Sequence, residues 1–277
     1  MLSEAKVKEL GEKARQIRIL TMRMLGAIGS GHLGGSMSIV ELLALLYFDR
    51  LNINPKEPRW PDRDRLVLSK GHAGPALYAT LALRGYFNPD ECLTLNQSGT
   101  NLPSHCDMNK TIGIDMTAGS LGQGLSAAVG MALAGKLDKR KYRVYCIVGD
   151  GEAQEGQIWE ALMFGAQKKL DNLTVFLDNN RLQIDGPVAE VNSLDPLADK
   201  FKSFGYFTQS VDGHDYLAIN EALDTAQKQA IPSIVILNTI KGKGVPFAEG
   251  MVTSHFMPLT QENIDQALAA LGEKKGA

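Results

Sequence analysis

Short apolar blocks rich in Val, Ile and Leu alternate along the chain with longer stretches in which apolar residues recur every three or four positions. That alternation predicts strands separated by helices. The strand blocks are Arg65 to Leu68, Val144 to Val148, Leu173 to Leu177 and Ser233 to Thr239, and Tyr206 to Val211 is read as a further strand. A first helix is predicted over Lys6 to Leu25, with Val7, Leu10, Ala14, Ile17 and Leu25 near one face, followed by a glycine-rich loop from Gly29 to Gly35. Ser38 and Glu41 have the spacing of a capping box for a helix reaching about Phe48, and Asn88-Pro89-Asp90-Glu91 opens another with proline at its first position. Further helices are expected from Gly74-Pro75 to near Gly85, over the Ala-rich Gly122 to Leu137, over Glu155 to Lys169 and over Gln261 to Leu271, with Glu273 to Ala277 fraying. Near-continuously apolar strands alternating with helices imply an α/β fold: a parallel sheet with helices on both faces. Residues 1–277 read as a single domain, in which 241–277 form a loop and a C-terminal helix.

Chemistry concentrates between Val144 and Asp185. An apolar strand ends at Gly149-Asp150-Gly151, a helix follows, and a second strand ends at Asp178-Asn179-Asn180. A helical crossover makes the two strands parallel, so Asp150 and Asn180 reach the same sheet edge, where open α/β sheets bind ligands. A hard divalent ion such as Mg2+ takes about six oxygens at about 2.0 to 2.1 Å and shares its shell with substrate phosphates. Asp150 and Asn180 supply two such oxygens and a diphosphate could supply two more. Gly151 permits close backbone approach, and the helix beyond it offers free N–H groups to an anion. Two commoner phosphate loops are set aside: no G-x-x-x-x-G-K-[ST] occurs, and the glycines of Gly119-Ser120-Leu121-Gly122-Gln123-Gly124 stand in the wrong order for G-x-G-x-x-G.

Four of the five histidines lie in apparent loops at element ends: His32, His72, His105 and His255. A neutral imidazole both donates and accepts, which suits proton movement at a hydroxyl or carbonyl. His214, in Val211-Asp212-Gly213-His214-Asp215, reads as part of a turn after a strand. A net charge of −2 and a pI of about 6.2 give no electrostatic case for nucleic acid or a membrane surface. Cys92, Cys106 and Cys146 show no pairing pattern and read as free thiols of a reducing compartment. Met1 to Lys13 is charged and helix-like, and no apolar run approaches the roughly 18 residues of a membrane span. A cytoplasmic location is expected.

Gly149-Asp150-Gly151 through Asn179-Asn180 resembles the thiamine diphosphate motif. Ser30-Gly31-His32-Leu33-Gly34-Gly35, Ser69-Lys70-Gly71-His72, Gly119 to Gly124 and Gln154-Glu155-Gly156 narrow the resemblance to transketolases, from the first helix to about Leu259. It implies the diphosphate-binding domain of a thiamin diphosphate-binding fold. It also implies that this is the N-terminal subunit of a split enzyme, because transketolases continue through a pyrimidine-binding domain and a third domain. The cofactors implied are thiamine diphosphate and Mg2+, with Ca2+ or Mn2+ as substitutes. The reaction implied is transfer of a two-carbon ketol unit from a ketose phosphate to an aldose phosphate, as in the pentose phosphate pathway.

By the same resemblance His72 binds the diphosphate, His32 contacts substrate, His255 touches both and His105 faces substrate hydroxyls. Gly119, Ser120 and Leu121 pass beneath the cofactor, Ile184 packs on its rings, and Gly151 adjoins its diphosphate. Asp150, Asn180 and the Leu182 carbonyl hold the metal. Glu155 and Glu160 match acids at a subunit interface, and a partner subunit carrying the pyrimidine-binding domain is expected in an α2β2 assembly. Leu33 and Gly34-Gly35-Ser36 after His32, Cys106-Asp107 after His105 and Phe256 after His255 depart from the common family pattern, so the sugar is left open. Two alternatives stay open as well: half of another thiamine diphosphate enzyme, of deoxyxylulose phosphate synthase or 2-oxoacid dehydrogenase type, and a non-catalytic paralogue acting as an interaction module.

Overall fold

The computed structural model describes residues 2–273. Its centre is a five-stranded sheet of β1 (Arg65–Leu68), β2 (Val144–Gly149), β3 (Leu173–Asn179), β4 (Phe207–Asp212) and β5 (Ser233–Asn238), all neighbours parallel, in the order β1-β2-β3-β5-β4. Strand side chains point alternately to the two faces. Tyr145, Ile147, Phe176, Val235 and Leu237 therefore enter one core, while Val144, Cys146, Val148, Val175, Leu177, Ile234 and Ile236 enter another. Burial on both faces is why β1, β2, β3 and β5 carry apolar blocks instead of an apolar/polar alternation, whereas the edge strand β4 is partly exposed and largely polar.

The main helices are α1 (Glu4–Ile28), α2 (Gly34–Met37), α3 (Val40–Leu45), α4 (Gly74–Arg84), α5 (Gln123–Leu137), α6 (Gly156–Gln167), α7 (Tyr216–Ala226) and α8 (Gln261–Ala270). The first core takes Leu25 of α1, Leu43 of α3, Leu77 of α4 and Ile219 of α7. The second takes Leu125 and Ala128 of α5 with Ile158 and Leu162 of α6. The expected two-faced architecture is thus realised, and no helix among the described residues is long and apolar enough to cross a membrane.

Local outcomes differ from the pattern in instructive ways. α1 runs longer at both ends than Lys6 to Leu25, because the Ser3 hydroxyl accepts from the Lys6 amide at 3.2 Å and Gly29 closes the helix in a left-handed conformation. The Ser38/Glu41 capping box does not form. Ser38 already has helical φ and ψ, its hydroxyl donates to Asp178 at 2.7 Å, and Glu41 is taken up by Arg18. Asn88 caps a 3-10 helix over Pro89–Thr94, a tighter winding than the expected α-helix. Asp215 caps α7 by accepting from the Leu217 and Ala218 amides, so what reads as a simple turn after β4 is a helix start. Glu273 does not fray: it pairs with Arg23 at 2.6 Å, and the expectation for 274–277 lies outside the described residues.

Candidate functional site

The C-terminal ends of β1, β2, β3 and β5 deliver Ser69 to His72, Gly149-Asp150, Asn180 and Thr239 to Lys241 to one edge of the sheet. Two buried carboxylates organise the loops there. Glu152, in a 3-10 turn over Glu152–Gln154, accepts from Ser69 Oγ at 2.5 Å, Gly122 N at 2.9 Å and Gly149 N at 3.0 Å, and so ties three loops together. Burial raises its pKa, while these bonds act to lower it. Gly122 can present its amide this way because it sits at φ 85° at the start of α5, a conformation that favours glycine. The tight turn has a consequence for anion binding. α6 begins at Gly156, within one residue of the expected start, and the Gly151 amide is spent on Asp150 Oδ1 at 2.8 Å. The space beside Gly151 is filled by Gln183, whose Cβ would stand 3.0 Å from an added Cβ.

Asp178, fully buried, accepts from Ser38 Oγ at 2.7 Å, Asn180 Nδ2 at 3.0 Å, Lys70 Nζ and Thr239 Oγ1. Burial acts to raise its pKa, but the Lys70 ammonium and the Thr239 and Ser38 hydroxyls together outweigh that and hold it below the usual value. Lys70 is itself 1% exposed and also donates to the Gly35 carbonyl at 2.9 Å. The network fixes the amide of Asn180, whose Oδ1 accepts from Leu182 N at 3.1 Å.

Asp150 is 4% exposed, and among the described residues its carboxylate accepts from backbone amides alone, those of Gly151 and Arg181. Burial, with Asp178 nearby, pushes its pKa up to about 7. A buried carboxylate so raised is one that a cation would stabilise. The Lys241 ammonium stands close by, donating to the Leu182 carbonyl at 3.1 Å and lying 3.3 Å from His255 Nδ1. Burial and the Lys70 charge lower the Lys241 pKa to about 8. An ammonium on the Leu182 carbonyl stands in for a hard cation. Asp150, Asn180 and that carbonyl form an all-oxygen donor set suited to Mg2+ or Ca2+. Among the described residues, no three His, Cys, Asp or Glu side chains group for a metal, so a centre here draws on the amide and the carbonyl. A cavity of about 200 Å³ opens between Lys70, His72, Asp150, Asn180, Lys241 and His255.

His72 and His255 line this cavity, and His32 and His105 cluster with them. Ring centroids lie 5.5 Å apart for His32 and His72, 5.3 Å for His32 and His105, 5.5 Å for His32 and His255 and 4.9 Å for His72 and His255. Burial, then the neighbouring cations and rings, lowers His32 and His255 to about 4 and His72 well below its ordinary value; burial also lowers His105. The cluster therefore stays neutral at physiological pH and can both donate and accept. Phe256 packs its edge on His32 at 5.0 Å and leaves 55% of its surface exposed.

Other expected residues fall at the rim. Leu121 borders the cavity with Ile184, which is 65% exposed, whereas Gly119 and Ser120 are exposed outside it, Gly119 beside His105. Glu155 is exposed and borders the cavity, and Glu160 lies exposed on α6. His214 is not brought to the site. It bonds instead to Glu41 and to the Ile240 amide. Sequence reasoning passed over Lys70, Glu152, Asp178 and Lys241. Lys70 stands inside Ser69-Lys70-Gly71-His72 and Lys241 opens Lys241-Gly242-Lys243-Gly244, so a lysine beside glycine at a strand end was the available signal.

A parallel sheet whose C-terminal edge gathers oxygen donors, two buried lysines and four histidines defines an α/β domain with a polar ligand site at its strand ends. Residues 11–276 match the family model described as "Transketolase, thiamine diphosphate binding domain". The chain is 55% identical over 277 residues, the full length of both chains, to the 6-deoxy-6-sulfo-D-fructose transketolase subunit SqwG of Clostridium sp. (strain MSTE9). It is 40% identical over 248 residues to one of the subunits of the apulose-4-phosphate transketolase of Phocaeicola vulgatus, covering 88% of this chain and 87% of that one. The crystal structure of transketolase from Campylobacter jejuni superposes with a TM-score of 0.91 at 34% identity, over 97% of this chain and 43% of that one. The chain belongs to the transketolase family. It spans less than half the length of the whole enzymes, 42% in the human case, and all of the subunit-type relative.

Proposed function

We propose that this chain is the diphosphate- and metal-binding subunit of a two-part transketolase, a single domain that works in the cytoplasm with a second subunit carrying the pyrimidine-binding domain, as α2β2. The observation that carries this reading is the ring of four neutral histidines at 4.9 to 5.5 Å spacings beside the Asp150/Asn180 donor set. Thiamine diphosphate, when bound, supplies the carbon nucleophile and electron sink needed to break a ketose between its second and third carbons. Asp150, Asn180 and the Leu182 carbonyl would hold Mg2+, and His72 and Lys241 would receive the phosphate oxygens, with the Gly151 turn, its amide already bonded to Asp150, adjoining them. Leu121 and Ile184 give the rings an apolar bed, with Gly119 and Ser120 beside it. His32, His105 and His255 face the sugar and move protons at its hydroxyl and carbonyl oxygens, which their depressed pKa values permit because no ring is locked as a cation. Glu155 and Glu160 lie toward the partner.

The full-length likeness at 55% identity to a 6-deoxy-6-sulfo-D-fructose transketolase subunit favours a sulfonated ketose as donor. Reconstituted with its partner subunit, the enzyme is expected to use 6-deoxy-6-sulfofructose with a kcat/KM at least about tenfold above that for fructose 6-phosphate or xylulose 5-phosphate. Coupled assays of the released aldose check this. A preference for xylulose 5-phosphate would reassign the donor, and consumption of pyruvate would reassign the reaction.

A further inference from the structure

Arg18 of α1, Glu41 of α3 and His214 after β4 form a hydrogen-bonded cluster, its ion pair buried and its imidazole partly buried, that does not line the cavity. Arg18 is 6% exposed and Glu41 8%. The guanidinium meets Glu41 through both carboxylate oxygens, Nη1 to Oε1 at 2.7 Å and Nη2 to Oε2 at 2.9 Å, and Oε2 also receives His214 Nδ1 at 2.9 Å. The Ile240 amide donates to His214 Nε2 at 2.9 Å, so that nitrogen is the unprotonated one and Nδ1 carries the hydrogen given to Glu41. Arg18 Nε donates to the Lys243 carbonyl at 2.9 Å. Both ends of the 240–243 segment thus hang from one carboxylate. Between them, the Gly242 amide donates to the Gly34 carbonyl at 2.9 Å and the Lys241 carbonyl accepts from Gly250 at 2.8 Å.

The residue so clamped is Lys241, 2% exposed, whose ammonium reaches the Leu182 carbonyl and His255. A buried guanidinium and carboxylate with a partly buried imidazole contribute little net stability, since desolvation offsets much of their attraction and a well-packed apolar set often does as well. What the charged set adds is a fixed direction for the hydrogen bonds it makes. We propose that Arg18, Glu41 and His214 are positioning residues that fix the 240–243 segment and thereby hold Lys241 over the metal and diphosphate site. The proposal rests on the reading of that site given above.

The test uses the full chain and two variants, His214→Leu and His214→Gln, the latter keeping a side-chain oxygen that can accept from Ile240. Hydrogen exchange of the ligand-free protein reports on the segment, and calorimetry reports thiamine diphosphate binding with Mg2+. His214→Leu is expected to speed exchange at residues 240–244 and to weaken cofactor binding, each about tenfold, with exchange in α4 and α5 unchanged. His214→Gln is expected to restore most of both. Wild-type exchange and affinity in His214→Leu would overturn the proposal, as would faster exchange with unchanged affinity, or a loss that tracks global destabilisation without rescue by glutamine. Failure of the wild-type chain itself to bind thiamine diphosphate would overturn the reading of the site, and the proposal with it.

Discussion

Asp150→Asn removes metal-dependent thiamine diphosphate binding, weakening it at least about a hundredfold, while the sheet stays folded. The carboxylate is the one anionic side chain in the donor set, and asparagine keeps its shape without its charge. The pH dependence follows from the same group. Because a metal ligand must be deprotonated and burial raises Asp150 to about 7, the apparent dissociation constant of the native chain should rise about tenfold between pH 8 and pH 6. The asparagine variant should lose that slope. Stability runs the other way. A carboxyl raised from 3.8 to about 7 in the fold binds more protons folded than unfolded across that window, so its ionisation subtracts stability as pH rises through 7. At pH 8 the ligand-free Asp150→Asn protein is therefore expected to melt no lower than the native chain. Calorimetric titrations at several pH values and a thermal scan check both halves; native affinity in Asp150→Asn would remove the metal assignment.

The second large effect concerns Lys70 and Asp178, 1% and 0% exposed and in direct contact. Removing one partner strands a buried charge. Lys70→Met or Asp178→Leu alone should cost about 3 to 5 kcal/mol in chemical denaturation, whereas the double variant should recover much of that loss. Cofactor binding should not recover. Asp178 also orients the Asn180 amide at 3.0 Å, and leucine cannot accept that hydrogen bond. Equal destabilisation by the double variant and by each single variant, or intact binding in the double variant, would contradict this account of the network.

Strands and their ends were legible because burial on both faces leaves a plain apolar block, and a ligand at a strand end follows from where the block stops. Asp150 and Asn180 could be placed on one edge for that reason, and motifs gathered the four histidines that spacing alone could not. Residues whose partners are remote in the chain were not legible. Asp178 reads as the polar end of a strand until Ser38, Lys70 and Thr239 converge on it, and Glu152, between Gly151 and the expected helix, carries no signal until its bonds to Ser69, Gly122 and Gly149 appear. Ser38 and Glu41 show the reverse failure. Their spacing fits a cap, but each side chain finds a stronger buried partner, Asp178 for one and Arg18 for the other, and Ser38 ends α2 while α3 starts at Val40 without a side-chain cap. α7 was hidden because Asp215 sits in a cluster of turn-forming residues.

The division of labour between two subunits is tested most directly by measuring two-carbon transfer with the highly purified chain alone, and again with rising amounts of the subunit that carries the pyrimidine-binding domain, at fixed thiamine diphosphate and Mg2+. The account predicts no turnover above background for the chain alone and activity that climbs with the partner until the two are present in equal amounts. Turnover by the chain alone would contradict it.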